Sequence, residues 1–347
     1  MSSIERRRIT RREMLLAVPG LAVAGRLLAQ VGPAPIRVRG LSQVTLAVSD
    51  VARSTAFYQE LFGMAVQARH GQKVLLRLGD GPFFLGLMPA GASGPRIDHW
   101  GLAVEDFDPA RTVEQLSAHG VTPAEGGSPG LAGGPLRVRS TTRGDTQELH
   151  VGDPDGLVIQ LQHPSYCGGS GPLGNGCESA EPSPSGAPMN LTAISHLTVN
   201  VPSPDATNAF YRRVFGLDVQ AYQAASPLLG VGPGPDFLMF IAAGGRGAGA
   251  GVARVNHACF SMPGFEVAAV QGALERHGIR PRPEGGSGPL LHWISMRMPN
   301  RGGAPEGTPE LYFSDPDGLS IQLQDSAYCG GGGYLGEVCT QPARPQA

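Results

Sequence analysis

Ala56-Phe57-Tyr58-Gln59-Glu60-Leu61-Phe62-Gly63-Met64 returns, 153 residues later, as Ala209-Phe210-Tyr211-Arg212-Arg213-Val214-Phe215-Gly216-Leu217. A second motif, Gly152-Asp153-Pro154-Asp155-Gly156-Leu157, returns as Ser314-Asp315-Pro316-Asp317-Gly318-Leu319 at an offset of 162. Self-similarity at such offsets marks a duplicated architecture. The chain therefore reads as two homologous halves, the second longer by about nine residues. Between them Glu178 to Pro188 is rich in Ser, Pro and Ala, the composition of a linker.

Each half divides again. Leu41 to Val48 alternates as a strand, and Val51 to Phe62 has apolar residues at helical spacing with Gly63 as its stop. Lys73 to Leu78 and Phe83 to Met88 are short strand-like runs. The pattern then restarts, with a strand over Ile97 to Val104 and a helix over Pro109 to His119. Gln147 to Val151 and Leu157 to Gln162 read as strands joined by the Asp-Pro-Asp-Gly turn, where Pro presets φ, Asp caps locally and Gly takes positive φ. The unit is β-α-β-β-β, four times over, which predicts an α+β fold. The four acidic residues of the two turns (Asp153, Asp155, Asp315, Asp317) serve the turn rather than calcium.

Composition narrows the function. Gly (51) and Pro (31) make up about a quarter of the 347 residues, which predicts many loops. The net charge of −2 offers no basic footprint for nucleic acid. Arg6-Arg7-Arg8, then Thr10-Arg11-Arg12-Glu13-Met14-Leu15, precede a short apolar run and the small-residue site Ala22-Val23-Ala24. That is the pattern of a signal peptide over residues 1–29, similar to a twin-arginine leader read by export machinery. It predicts a periplasmic or exported protein. Gly244 to Gly251 contains no phosphate-binding pattern and reads as a loop.

Four of the five cysteines fall in matched segments, Cys167 to Cys177 and Cys329 to Cys339, each spanning a Gly-rich loop. Such a loop brings two Cα atoms into disulfide range, and an oxidising compartment keeps the bond. Zinc sites favour closer spacing. Cys259 lies in an apolar strand pattern and is expected as a buried free thiol.

The polar residue at the centre of the first strand, the Phe-Tyr helix ending in Phe-Gly-Met or Phe-Gly-Leu, and Asp-Pro-Asp-Gly ahead of Ile-Gln-Leu together resemble the vicinal oxygen chelate superfamily. That superfamily includes glyoxalase I, bleomycin-resistance proteins and extradiol dioxygenases. The resemblance covers residues 39–165 and 192–327, leaving 166–191 as loop and linker and 328–347 as a Cys-containing tail. It implies modules paired into two tandem domains with cupped mixed sheets, and a site inside each cup. Carried over position by position, the ligand positions are Gln43, His99 and Gln160 in the first half and His196, His257 and Gln322 in the second. A further position falls near Gly86 in one half and at Met239 to Ile241 in the other, neither suited to bind metal. The first half is thus expected to hold a degenerate site.

Gln160 and Gln322 stand where a Glu is usual, so no ligand charge would offset an ion. Two readings remain open at this stage. In one, Fe²⁺, or else Mn²⁺ or Zn²⁺, sits between His196, His257 and Gln322 and chelates two vicinal oxygens of a small substrate. The reaction is then of dioxygenase or lyase/isomerase type, with Glu310 or His150 as base. In the other, the protein is a metal-free periplasmic binder holding a hydrophobic small molecule with Trp100, Phe260 and Trp293. Four modules in one chain make a monomer sufficient, and a homodimer is the alternative.

Overall fold

The computed structural model describes residues 36–244 and 251–339. The leader pattern in residues 1–29, most of the Gly244 to Gly251 loop and residues 340–347 of the tail lie outside the described residues.

The fold is two tandem mixed-sheet domains of βαβββ modules. In the first, β1 (Val38–Val48), α1 (Val51–Phe62), β2 (Ala65–His70), β3 (Lys73–Leu78) and β4 (Phe83–Pro89) form one module. The next comprises β5 (Arg96–Val104), α2 (Pro109–Ala118), β6 (Thr122–Pro123), β7 (Arg137–Arg143), β8 (Thr146–Gly152) and β9 (Val158–Gln162). The second domain repeats the series. Its first module is β10 (Ala193–Val201), α3 (Pro204–Phe215), β11 (Val219–Gln223), β12 (Ser226–Gly230) and β13 (Phe237–Ala242). Its second is β14 (Arg254–Met262), α4 (Val267–Arg276), β15 (Arg280–Pro281), β16 (Leu291–Arg297), β17 (Thr308–Ser314) and β18 (Ser320–Asp325).

Each domain is one nine-stranded sheet, in the order β2-β3-β4-β1-β5-β9-β8-β7-β6 and its equivalent. Its two modules join edge to edge where β1 runs antiparallel to β5, and β10 to β14. Ala65–His70 and Arg137–Arg143 are strands that the sequence reading passed over, because charged residues interrupt their alternation.

Local chemistry explains the helices. The Asp50 side chain accepts from the Arg53 N–H to open α1, and Gly63 closes it at φ 66°. The turn aspartates act as expected: Asp153 Oδ1 accepts from the N–H groups of Asp155 and Leu157, and Asp315 does the same for Asp317 and Leu319. Their other oxygens cross between the domains. Tyr58 of α1 donates to Asp315 Oδ2 at 3.2 Å, and Tyr211 of α3 donates to Asp153 Oδ2 at 3.1 Å. Around these bonds one apolar core runs through both domains, with Phe57 and Phe62 against Phe313 and Tyr211 beside Trp100. A fully buried aromatic or aliphatic side chain contributes roughly 1.5–3 kcal/mol.

The two cysteine pairs are disulfides, Cys167–Cys177 and Cys329–Cys339, with Cα atoms 5.9 and 6.2 Å apart. Cys259 is a buried free thiol. Among the described residues no helix is long and apolar enough to cross a membrane.

Candidate functional site

Strand alternation sends one face of each sheet to the core and leaves the other as a concave polar surface. On β10, Leu197 and Val199 enter the core while His196 and Thr198 face the cup. On β14, His257 pairs with Thr198, and on β18 Gln322 pairs with Cys259 beside it. The three positions inferred from sequence therefore converge on one cavity of about 280 Å³ in the second domain. The rings of His196 and His257 meet edge to face with centroids 5.5 Å apart.

The hydrogen bonds of His257 fix its tautomer. Nδ1 lies 2.9 Å from Asn256 Oδ1, and an amide oxygen only accepts, so Nδ1 carries the proton and Nε2 keeps its lone pair. That Nε2 is buried with no partner, and so are both polar atoms of the Gln322 amide. His196 Nδ1 is held by Ser195 Oγ at 3.2 Å. Burial pushes the His257 pKa down to about 4, against a smaller upward pull from Gln322. Burial and the neighbouring His257 put His196 well below the usual range. Both imidazoles are thus neutral at pH 7, the form that binds a metal or accepts a proton.

Aromatic rings brace this pair. Tyr328 stacks on His196 at 5.4 Å, Tyr312 meets His257 edge-on at 5.2 Å, and Trp293 stacks on Tyr312 at 5.4 Å. Glu310 also lines the cavity, but it is not a free carboxylate. Arg297 Nε donates to its Oε1 at 2.8 Å, Tyr328 to Oε1 at 3.1 Å and Tyr312 to Oε2 at 3.3 Å. The remaining Arg297 nitrogens donate to the carbonyls of Gly302 and Gly331. One guanidinium thereby fastens the β16–β17 loop, the disulfide-closed tail and the cup wall together.

The first cup spends Gln43, Gln162 and the Gln160 oxygen on internal hydrogen bonds, yet it too leaves His99 Nε2, His150 Nδ1 and Gln160 Nε2 buried without partners. Gln43 donates to Thr45 Oγ1 at 2.7 Å and accepts from Gln162 at 3.2 Å. His99 and His150 meet edge to face at 5.9 Å, and Asp98 holds His99 Nδ1 at 2.8 Å. Burial, with His99 alongside, lowers His150 to about 3. Lys73, the one lysine of the chain, shares the cup-side face of β3 with Leu75, and its charge reaches His99, His150 and Glu148. Burial lowers its pKa.

Several expectations are corrected. Of the two alternative bases, Glu310 lines the second cup but is neutralised by Arg297, and His150 stands in the first cup beside His99, away from His196, His257 and Gln322. Trp100 and Phe260 belong to the core, not to a cup: each lies an odd number of residues from the cup-facing His99 or His257 on its strand, on the opposite face. Trp293 does line the cavity. Among the described residues no three His, Cys, Asp or Glu side chains gather to hold a metal. The second cup offers two imidazoles and an amide instead, while in the first Gln43 and Gln162 are spent on internal hydrogen bonds. Asn256, Arg297 and Tyr328 were missed from sequence. Only Asn256, adjacent to His257, carried a usable signal.

The family model described as Glyoxalase/Bleomycin resistance protein/Dioxygenase superfamily matches residues 40–161. Similar solved structures include the Mn(II)-bound glyoxalase from Novosphingobium aromaticivorans, at 18% identity and TM-score 0.56, covering 83% of this chain and 82% of that one. Another is homoprotocatechuate 2,3-dioxygenase from Brevibacterium fuscum in complex with 3,4-dihydroxyphenylacetate, at 18% identity and TM-score 0.58, covering 85% and 83%. No curated protein matches in sequence. At this identity the likeness is one of fold: the chain has the superfamily fold, as two similar tandem domains.

Proposed function

We propose that the second cup is the working site of a metal-dependent enzyme that binds a small molecule carrying two adjacent oxygens, by a lyase/isomerase or dioxygenase type of reaction. The observation that carries this reading is the buried, unpartnered His257 Nε2 beside the unpartnered Gln322 amide, with the His257 ring locked from behind by Asn256. Buried polar atoms without partners are costly, so a site that keeps them points to a ligand. His196, His257 and Gln322 would hold the ion, Fe²⁺ first, then Mn²⁺ or Zn²⁺. When bound, the ion supplies Lewis acidity to the paired substrate oxygens. The chain's own residues do the rest. Tyr328 and Tyr312 fix the two imidazoles, Trp293 backs Tyr312 in the cavity lining, and the aromatic lining limits water. The fold neighbours, a Mn(II)-bound glyoxalase and a dioxygenase with a bound dihydroxyphenyl compound, support the same reading.

One observation favours a second reading, metal-free binding. All three inward donors are neutral, and the one carboxylate in the cup is tied to Arg297. In that case the Gln322 Nε2 donates to one ligand oxygen and His257 Nε2 accepts from another.

Elemental analysis of the purified protein beside a His196→Ala/His257→Ala variant separates the two, together with Gln322→Glu. The first reading expects near-stoichiometric metal that the double variant loses and that Gln322→Glu holds at least tenfold more tightly. Absence of metal, with no thermal shift on adding Fe²⁺ or Zn²⁺ to either protein, leaves the binding reading.

The two disulfides support an oxidising compartment. With the leader pattern of residues 1–29, we infer export. A monomer completes both cups from its own modules.

A further inference from the structure

The first cup is not a worn copy of the second. Strand register places Lys73 where the second cup has Ser226, and His150 where it has Tyr312. Gln43 in turn stands where the second cup has His196. One ligand position is lost, and a cation and a further imidazole enter. β3 and β8 belong to opposite arms of the sheet, with β4, β1, β5 and β9 between them. Lys73 reaches across: its charge acts on His99 of β5 and on Glu148 and His150 of β8.

The charges around it do not cancel. Arg143 is paired with Glu148 at 2.9 Å, and Arg96 with Asp98. Lys73 has no ion pair and no hydrogen bond among the described residues. One positive charge is left over, half-buried, where it repels a metal ion and is costly without a counter-charge. The neighbouring polar atoms are also unmet. His99 Nε2, His150 Nδ1 and Gln160 Nε2 have no partner, on residues 1%, 4% and 1% exposed. Two of them have a fixed polarity. His99 Nδ1 donates to the Asp98 carboxylate at 2.8 Å, so Nε2 offers a lone pair. Gln160 Oε1 accepts from Gln43 Nε2 at 3.4 Å, which identifies the free Gln160 nitrogen as a donor. The cup thus presents an ammonium and an amide N–H to acceptor oxygens, and one lone pair to a hydroxyl.

We propose that the first cup is a separate binding site for a small oxyanion that keeps one O–H, of the hydrogencarbonate or hydrogenphosphate class. Its charge pairs with Lys73, one oxygen accepts from Gln160 Nε2, and its hydroxyl donates to His99 Nε2. Sulfate carries no proton at neutral pH, so its oxygens meet the His99 lone pair acceptor to acceptor. That contact leaves both groups desolvated and unbonded, and it rejects the ion. The single surplus charge favours a monoanion. The proposal is independent of whether the second cup holds a metal.

The test is calorimetric titration of the chelator-treated protein with hydrogencarbonate, phosphate and sulfate at matched ionic strength and neutral pH. The expected result is binding of hydrogencarbonate or phosphate about tenfold tighter than sulfate, and the arm that binds identifies the source. Lys73→Met removes the cation and Gln160→Met the amide donor. Each should weaken that binding about tenfold or more, with thermal unfolding showing that the variant is folded. His196→Ala/His257→Ala, confined to the second cup, should bind the oxyanion as the wild type does. Sulfate binding as tightly as the protonated ions would mean an adventitious ion only. Binding of none of the three, or binding unchanged in both Lys73→Met and Gln160→Met, also overturns the proposal. Loss of binding in the second-cup variant would place the ion in the wrong cup and overturn it too.

Discussion

Arg297 and Glu310 form an ion pair at 2.8 Å whose side chains are 0% and 4% exposed. A charge buried this fully is stable only while its partner is present. Removing one member leaves the other desolvated and alone, at a cost of about 3–5 kcal/mol. Arg297→Ala and Glu310→Gln are each expected to lower the unfolding free energy by about that amount in denaturant titration. The equivalent first-domain pair, Arg143 and Glu148, is 27% and 16% exposed, so Arg143→Ala should cost clearly less. Equal losses at the two sites would show that burial does not set the difference.

Asn256 acts on the site through His257. Replacing it with Ala frees the imidazole to rotate and to change tautomer. Metal affinity is then expected to fall about 10- to 100-fold with little change in stability. Asn256→Asp copies the Asp98–His99 arrangement of the first cup and should raise imidazole basicity and tighten binding. Competition titration against a chromophoric chelator measures both, and an affinity indifferent to either change would refute the role.

The turn aspartates predict how stability follows pH. Burial lifts Asp153 to about 7 and Asp315 to about 6, from 3.8, outweighing the hydrogen bonds that pull them down. Between 3.8 and the folded value the native state binds more protons than the unfolded state. These groups therefore favour the fold at low pH, and that contribution is lost as pH rises through about 6 and 7. Asp153→Asn keeps the uncharged form at every pH. Its stabilising effect should be slight near pH 4 and grow to a few kcal/mol by pH 8. Denaturation curves at pH 4, 6 and 8 would expose a pH-independent difference, which this account does not allow.

The two disulfides should not be equivalent. By the chain-entropy model each ten-residue loop contributes about 2–3 kcal/mol. Tyr328 precedes the second bond and stacks on His196, and Arg297 holds Gly331 inside that loop. Cys329→Ser/Cys339→Ser should therefore weaken ligand or metal binding as well as stability. Cys167→Ser/Cys177→Ser should lower stability alone. Calorimetry paired with titration distinguishes the two.

The duplicated motifs made the fold readable, because a repeat of one βαβββ unit allows few arrangements. His196, His257 and Gln322 were readable because equivalent strand positions in paired modules must face the same cup. Trp100 and Phe260 were misplaced against a rule the sequence itself contains, since neighbours on a strand point to opposite faces. Arg297 was hidden for a different reason. An arginine before a Gly/Pro-rich loop looks solvated, and only its partners Glu310, Gly302 and Gly331 make it internal. Lys73, at the start of a strand-like run, carries no sequence signal of a partner, whereas the strand pleat turns it toward the His99 and His150 cup.

The crossed bonds from Tyr58 to Asp315 and from Tyr211 to Asp153 have the same partners in exchanged order. Each half carries one tyrosine and one aspartate, and offers both to its counterpart. That is the pattern of a self-complementary contact between two identical chains. A single half could once have closed the same bonds with a copy of itself, before fusion placed both copies on one polypeptide. Released from the linker and produced as two separate polypeptides, the halves should still find each other and reconstitute the joint core.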